Sequence, residues 1–268
     1  MVKILNWNVN GLRALLKKEN IKNNKKEKDN TFINFIKQYQ IICLQEIKLC
    51  DKTIDNLLEI LPEYNKYYSL PSCKRGYSGV AILSKIEPIN YAIDLKEDNE
   101  GRYIHIEFNK VYIVNIYKPN SGAQLERLEF KDNFDKLFQK QINKLSKKKE
   151  VIICGDFNAV KNDKGTYDYK NHFNKLSGVT EIEIKNINKL IDNKNIYDIY
   201  NEKYPNKKIY SYFSYRFPAR LHNKGLLIDF ILVTKGIMNY YKKIKYLDNI
   251  YGSDHISIML ELDNKILN

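Results

Sequence analysis

Two periodicities alternate along the chain. Short apolar runs rich in β-branched residues occupy positions 2–5, 41–44, 80–83, 111–116, 151–154 and 228–233, each of strand length and bounded by Gly, Pro, Asn or charge. Between them lie segments in which apolar residues recur every three or four positions. The clearest is 124–145, where Leu125, Leu128, Phe134, Leu137, Phe138, Ile142 and Leu145 fall on one helical stripe. Residues 31–39 read as a shorter helix and 184–193 as a weaker one. No internal repeat and no linker interrupts the alternation, so residues 1–268 are expected to form one α/β domain with a layered core. The Lys/Asn-rich stretch 22–30 reads as a solvated loop after a first helix, and Lys147-Lys148-Lys149 as a basic helix end favoured by the helix dipole.

Composition narrows the partners. Hydrophobic residues make up 43% of the 268, enough for a sizeable core, and 45 Lys+Arg against 32 Asp+Glu give a formal charge of +13. Such a chain attracts polyanions, nucleic acid first among them. The abundance of Lys together with Asn, Ile and Tyr also matches the bias of an AT-rich genome, so charge alone does not decide. The four cysteines lack CxxC spacing, and Cys43 and Cys154 sit inside apolar runs, which points to reduced, buried thiols rather than a disulfide framework or zinc site. There is no signal-peptide pattern and no apolar run near the ~18 residues a membrane span needs, so a cytoplasmic, nucleoid-associated protein without a membrane partner is expected.

Polar residues cluster where the apolar runs end: Asn6, Asn8 and Asn10 after the first, Gln45-Glu46 after the second, Tyr117 to Gly122 after the fourth, and Gly155-Asp156-Phe157-Asn158 after the fifth. Gly252-Ser253-Asp254-His255 stands near the C-terminus. Loops at strand ends project side chains into shared clefts. Singly, each has an ordinary explanation, such as a turn dipeptide, a solvated carboxylate or a surface histidine. Asp229 is different: flanked by Leu227, Ile228, Phe230 and Ile231, its carboxylate needs a partner if it is buried.

Taken together, these segments match an ordered motif set: NWNVNGLRA (6–14), LQEIK (44–48), GYSGVAILS (76–84), EGR (100–102), IYKPNSG (116–122), GDFNAV (155–160), SYFSYRFPAR (211–220), IDFILV (228–233) and GSDH (252–255). On them the chain resembles the exonuclease III/AP endonuclease family, of bacterial type, within the DNase-I-like endonuclease–exonuclease–phosphatase superfamily. The resemblance implies a four-layer α/β sandwich, two mixed β-sheets flanked by helices. It implies hydrolysis of the phosphodiester 5′ to abasic sites in duplex DNA, with 3′–5′ exonuclease or 3′-phosphodiesterase activity on 3′ ends, by a monomer using magnesium, for which manganese can substitute.

Residue by residue, it implies that Glu46 binds the metal with Asn10 and Asp254, and that Asp156 positions or deprotonates the attacking water beside Asn158. His255, oriented by Asp229, would contact the phosphate, with Tyr117, Asn8 and Asn120 completing the phosphate and leaving-group contacts. Lys48, Tyr77, Arg102, Asn171 and Asn174 would touch DNA. Tyr212, Leu226 and Ile228 would line an abasic-sugar pocket, and Tyr215, Arg216 and Phe217 would form a wedge. Asn10 stands where many relatives carry Asp, Leu226 where many carry Trp, and 161–178 diverges. Two other readings are a superfamily phosphatase or phospholipase, which shares the GD-N and SDH elements, and a non-catalytic DNA-binding relative. The SYRFPAR segment argues against the first and the intact polar set against the second.

Overall fold

The computed structural model describes residues 1–16, 32–50, 61–93, 95–191 and 195–268. The loop expected at 22–30 lies outside them. Two six-stranded mixed sheets form the frame. One runs β11 (Tyr241–Tyr246), β12 (Ile258–Leu262), β1 (Val2–Asn8), β2 (Ile41–Gln45), β4 (Val80–Ser84), β3 (Asn65–Ser69). The other runs β5 (Asn90–Ala92), β6 (Tyr103–Glu107), β7 (Val111–Tyr117), β8 (Glu150–Asp156), β10 (Asp229–Thr234), β9 (Ile196–Asp198). Among the described residues the helices are α1 (Phe32–Ile36), α2 (Leu128–Ser146), α3 (Tyr169–His172), α4 (Glu181–Ile191) and α5 (Ile199–Lys203), and residues 12–16 are helical too.

The central strands read as unbroken apolar runs because both of their faces are covered. Their side chains alternate between two cores. Ile4, Ile41, Cys43, Ile82, Ile113, Ile152, Cys154 and Ile231 meet between the sheets. Leu5, Trp7, Ile42 and Leu44 point the other way, into a core with Leu12, Ile36 and Tyr39. Val114, Val151, Ile153 and Phe230 pack under Phe134, Phe138 and Ile142 of α2 and Ile187 of α4. Two sheets with covered outer faces make the expected four-layer sandwich. Cys43 and Cys154 face each other in the inter-sheet core as free thiols, where burial and each other's proximity raise the Cys43 pKa well above the usual range.

The expected strands appear, each within a few residues of its apolar run. The expected helix at 124–145 begins only at Leu128, because Gly122 (φ +88°) and Leu125 (φ +61°) hold the preceding loop in left-handed conformation. The helix at 31–39 is confined to α1, and that at 184–193 starts earlier, at Glu181.

A topological coincidence positions the site. β1 and β2 are parallel neighbours, and so are β7 and β8, so all four strands end at one edge of the sandwich. β10 and β12 are antiparallel to β8 and β1 and start at that same edge. Beneath it a buried amide seam ties the sheets together. Gln45 Nε2 donates to Asn6 Oδ1 (2.7 Å) and Asn115 Oδ1 (2.6 Å), and Asn115 Nδ2 donates to the carbonyls of Leu44 and Ala81.

Candidate active site

The register sets the geometry. Asn8 lies opposite Gln45, so Asn8 and Glu46 leave the first sheet side by side; Tyr117 lies opposite Asp156, and Asp156 opposite Asp229. The turn after β1 needs left-handed backbone at Asn10 (φ +45°) followed by Gly11 (φ +103°), and the turn after β2 needs it at Glu46 (φ +50°). Asn tolerates that region readily; Glu does so at a cost, a form of strain that concentrates at functional sites. The Glu46 turn is held by backbone bonds from Gly11 N to Glu46 O (2.7 Å) and from Ile47 N to Gly79 O (3.1 Å).

Two carboxylates bracket the His255 imidazole. Its Nδ1 is 2.8 Å from Asp229 Oδ2 and its Nε2 is 3.9 Å from Asp156 Oδ2, with all three residues buried. Burial pulls the imidazole pKa down, but Asp229, through its charge and hydrogen bond, and then Asp156 and Asp254 outweigh it, pushing it up to about 10. Burial and the nearby Asp229 charge push Asp156 up to about 7, against the opposing pull of His255 and the Asn158 N–H. Burial raises Glu46 too, yet Lys48, a hydrogen bond from Asn8 and the charge of His255 more than offset it, and its carboxyl ionises more readily than an ordinary glutamate. Tyr117 is largely buried beside Glu46, and its phenol is raised well above the normal range by burial and by that carboxylate.

Amides stitch the carboxylates together. Asn8 Nδ2 donates to Glu46 Oε1 and to Asp156 Oδ2, both at 2.9 Å. Asn158 donates its backbone N–H to Asp156 Oδ1 (2.8 Å) and its Nδ2 to the Lys118 carbonyl (2.9 Å), and Asn120 Nδ2 donates to Asn158 Oδ1 (3.1 Å). Lys48 Nζ rests between Glu46 Oε2 (3.0 Å) and Asn10 Oδ1 (2.5 Å), and Asn10 Nδ2 donates to Asp254 Oδ1 (3.0 Å). Among the described residues, Glu46, Asp156 and His255 form the group whose ligand atoms lie close enough to share a metal, all within 4.8 Å.

These residues open onto a cleft of about 720 Å³. On its far wall Leu226 and Ile228 pack with Val160 and Val179, with Tyr212 against them. Tyr212 is held there by its backbone pairing with Leu226 and His255 and by its ring lying 5.0 Å from the imidazole. Arg216 and Phe217 complete the mouth, whereas Tyr215 projects outward, 65% exposed.

Several expected contacts sit differently. Arg102 is 1% exposed, clamped by Glu100 (2.6 Å), the Tyr117 carbonyl (3.2 Å) and the Tyr77 hydroxyl (3.0 Å), with the Tyr117 ring 4.6 Å away. It supports Tyr77 and Tyr117 from behind. The two carboxylates take the Asn8 amide, and its Oδ1 accepts from Asn10 N. Asp254 reaches Asn10 rather than the Glu46–Asp156–His255 group. Asn174 caps the start of α4, accepting from Glu181 N (2.8 Å), and Asn171 bonds Asp168 (2.8 Å), so neither lines the cleft.

Other residues had no signal in the periodicity. Arg127 holds Tyr77 and Glu100. Tyr167, His172 and Ser177, from the divergent 161–178 segment, line the cleft. The buried pair Lys131–Glu183 (2.9 Å) braces the wall: Lys131 donates to the Asn158 carbonyl, and Glu183 accepts from Ser121, Gly178 and Thr180.

A buried carboxylate–histidine–carboxylate array over an acidic and amide-rich cleft is the equipment of a phosphate-ester hydrolase, and the chain belongs to the Endonuclease/Exonuclease/phosphatase family, whose model matches residues 5–255. Within that family the similarity runs to exodeoxyribonucleases and AP endonucleases. An exodeoxyribonuclease of Bacillus subtilis is 33% identical over 97% of this chain and 98% of its own length. The DNA repair nuclease APEX1 of Danio rerio is 33% identical over 97% of this chain and 82% of its own. An AP endonuclease from Leishmania major shares the fold at TM-score 0.82 and 24% identity, over 98% of this chain and 88% of that one. A 3′ phosphatase from Neisseria bound to a product DNA hairpin does so at 0.81 and 22%, over 98% and 100%.

Proposed function

We propose that the protein is a base-excision-repair nuclease that hydrolyses the phosphodiester 5′ to abasic sites and trims 3′ ends of duplex DNA. The observation that carries this reading is the pairing of the Asp229–His255–Asp156 array with a small apolar wall, Tyr212, Leu226 and Ile228, in one cleft. The array suits phosphoester hydrolysis. The wall suits a sugar without its base, because flipping a nucleotide out costs least where no base is stacked or paired.

In this reading Asp156, poised near neutral pH, orients the attacking water and takes its proton. His255 is kept as an imidazolium by Asp229; with Nδ1 committed to that carboxylate, its Nε2 is the atom that donates to a phosphoryl oxygen. Asn158 holds Asp156, Asn120 keeps one amide hydrogen for the phosphate beside the one it gives Asn158, and Tyr117 sits where the leaving oxygen departs. The oxygens of Glu46 and Asn10 already accommodate the Lys48 ammonium, so the donor set fits a hard divalent cation; an imidazolium at His255 leaves oxygen as the ligand type. Magnesium, with manganese as substitute, would supply charge neutralisation at the phosphoryl oxygens. Asp254 would join this shell through Asn10.

Residues 1–268 are taken as one catalytic domain acting as a monomer, since both sheets of one chain contribute every residue named above. Among the described residues no helix is long and apolar enough to cross a membrane, and cytoplasmic repair is the setting proposed. The test is a duplex with one abasic analogue, incubated with magnesium. Cleavage leaving a 3′-hydroxyl upstream of the abasic residue supports the reading, while release of inorganic phosphate alone from a mononucleotide, with the duplex intact, contradicts it.

A further inference from the structure

Behind the catalytic cleft lies a second one, of about 620 Å³, within the ~300–1,000 Å³ range of ligand sites. Its floor is aromatic and apolar: Tyr200, Tyr246, Phe213, Ile244 and Ile256 are all buried. Its rim is cationic, with Lys207 and Lys208 from the segment just after α5, Arg220 further along the same segment before β10, and Lys243 and Lys245 from β11. Asp248 is the one acidic residue of this lining among the described residues, and none of the four lysines is paired with a carboxylate there. That places five cations against one anion around a concave surface.

Two tyrosines are exposed at this rim, and Tyr204 also packs against Tyr200, ring centroids 5.0 Å apart. Tyr251 is 73% exposed and Tyr204 40% exposed. Tyr251 is nonetheless held: the Arg220 guanidinium lies 4.2 Å from its ring centroid and donates to the carbonyls of Asp248 and Ile250, which fixes the segment that carries the ring. Lys207 and Lys208 lie 5.9 and 5.3 Å from the rings of Tyr204 and Tyr210, so charge and aromatic surface are interleaved.

The two clefts share a wall. Tyr212 lines the catalytic cleft while Tyr210 and Phe213 line the second; Arg216, Phe217 and Lys224 face the first while Arg220 and Asn223, from the same loop, face the second. From this arrangement we infer that the second cleft is a binding site for single-stranded nucleic acid, its phosphates held by Lys207, Lys208, Lys243 and Lys245 and its bases stacked on Tyr251 and Tyr204. Cations that track a backbone beside open aromatic rings are the recurring composition of single-strand sites. A duplex would offer this surface only phosphates and leave the rings unused. The inference stands whether or not an abasic site is the substrate, because it rests on no residue of the catalytic array.

The test uses the full chain in EDTA, to block cutting, and a fluorescein-labelled oligodeoxythymidylate of about ten nucleotides. Lys243→Glu/Lys245→Glu should weaken binding about tenfold or more and flatten its salt dependence, and Tyr251→Ala should weaken it about tenfold. Incision of a short blunt abasic duplex by either variant, with magnesium restored, should stay within about twofold of the parent. Single-strand affinities unchanged in both variants overturn the site. Loss in the lysine variant but not in Tyr251→Ala overturns the stacking and leaves a diffuse charge field. Equal competition by polyphosphate, which has no bases, overturns the assignment to nucleic acid.

Discussion

Asp229 illustrates how a single residue's surroundings decide its role. It begins a strand whose neighbours are wholly apolar, and its buried Oδ2 finds its partner in His255, 26 residues downstream. In the proposed mechanism the two act as one unit, so their losses should not add. Asp229→Asn and His255→Ala should each lower kcat by orders of magnitude, with the double variant little worse than His255→Ala; additive losses would show that Asp229 acts elsewhere. A pH effect accompanies this. The His255 pKa is pushed up to about 10 chiefly because Asp229 opposes burial; without that carboxylate, only Asp156 and Asp254 oppose burial and the pKa falls. The alkaline limb of the Asp229→Asn rate profile should therefore move to lower pH, measurable as a loss that deepens from acid to alkaline conditions. An unmoved limb would assign it to another group.

The same scale shows what could be read from sequence. Asp229 was legible because a carboxylate in an apolar run demands a partner. The partner, His255, came only through the family resemblance, and Asn8's double bridge from Glu46 to Asp156 not at all, because both depend on strands that meet only through sheet register. Arg102, which the resemblance gave as a DNA contact, is buried because Glu100 and two tyrosines give it enough partners.

At the scale of elements, β1, β2, β7, β8 and β10 announce themselves because covered faces demand continuous apolar runs. The strands that escaped are mostly sheet edges, β3, β5, β9 and β11, whose exposed faces carry Lys, Asn and Tyr and blur the alternation. The loop 161–178 had no periodicity to read, and its place in the cleft wall depends on the Thr166–Leu226 bridge. Below that wall, Lys131 and Glu183 tie α2 to α4 in the interior, 0% and 1% exposed. Lys131→Met leaves the Glu183 carboxylate buried without its cation and should cost about 3–5 kcal/mol in urea unfolding. Adding Glu183→Gln should recover part of the loss; a single variant as stable as the parent would show that the pair is not needed.

The pocket wall gives a prediction of its own. Leu226 is packed on Val160, Val179 and Ile228 and faces the cleft, so a larger ring there narrows the space for a flipped-out residue. Leu226→Trp should raise the ratio of kcat/KM on abasic duplex to that on an ordinary 3′ end. Arg216→Ala, at the mouth, should lower it. If neither substitution moves the ratio, this wall is scaffold and damage is recognised elsewhere.

For the molecule as a whole, the site exists because two sheets end together. Asn6, Gln45 and Asn115 lock them at that edge, and each sheet supplies half of the polar cluster. The net charge of +13 surrounds a cleft that is itself acidic. DNA is therefore expected to be held by its phosphates at the rim and hydrolysed in the centre. Affinity for duplex should fall about a hundredfold or more between about 50 and 200 mM salt if about four or more phosphates are neutralised. A salt-insensitive affinity would point to another substrate.

In the proposed function Glu46 anchors a divalent cation for cleavage beside an abasic site. The most direct measurement is a magnesium titration of single-turnover incision on an abasic duplex, for the parent and for Glu46→Gln. Expected are no incision in EDTA, a saturable rise with magnesium for the parent, and for Glu46→Gln a midpoint shifted to much higher magnesium with most activity lost at low concentration. Incision by the parent in EDTA, or a Glu46→Gln titration that overlays the parent's, would contradict it.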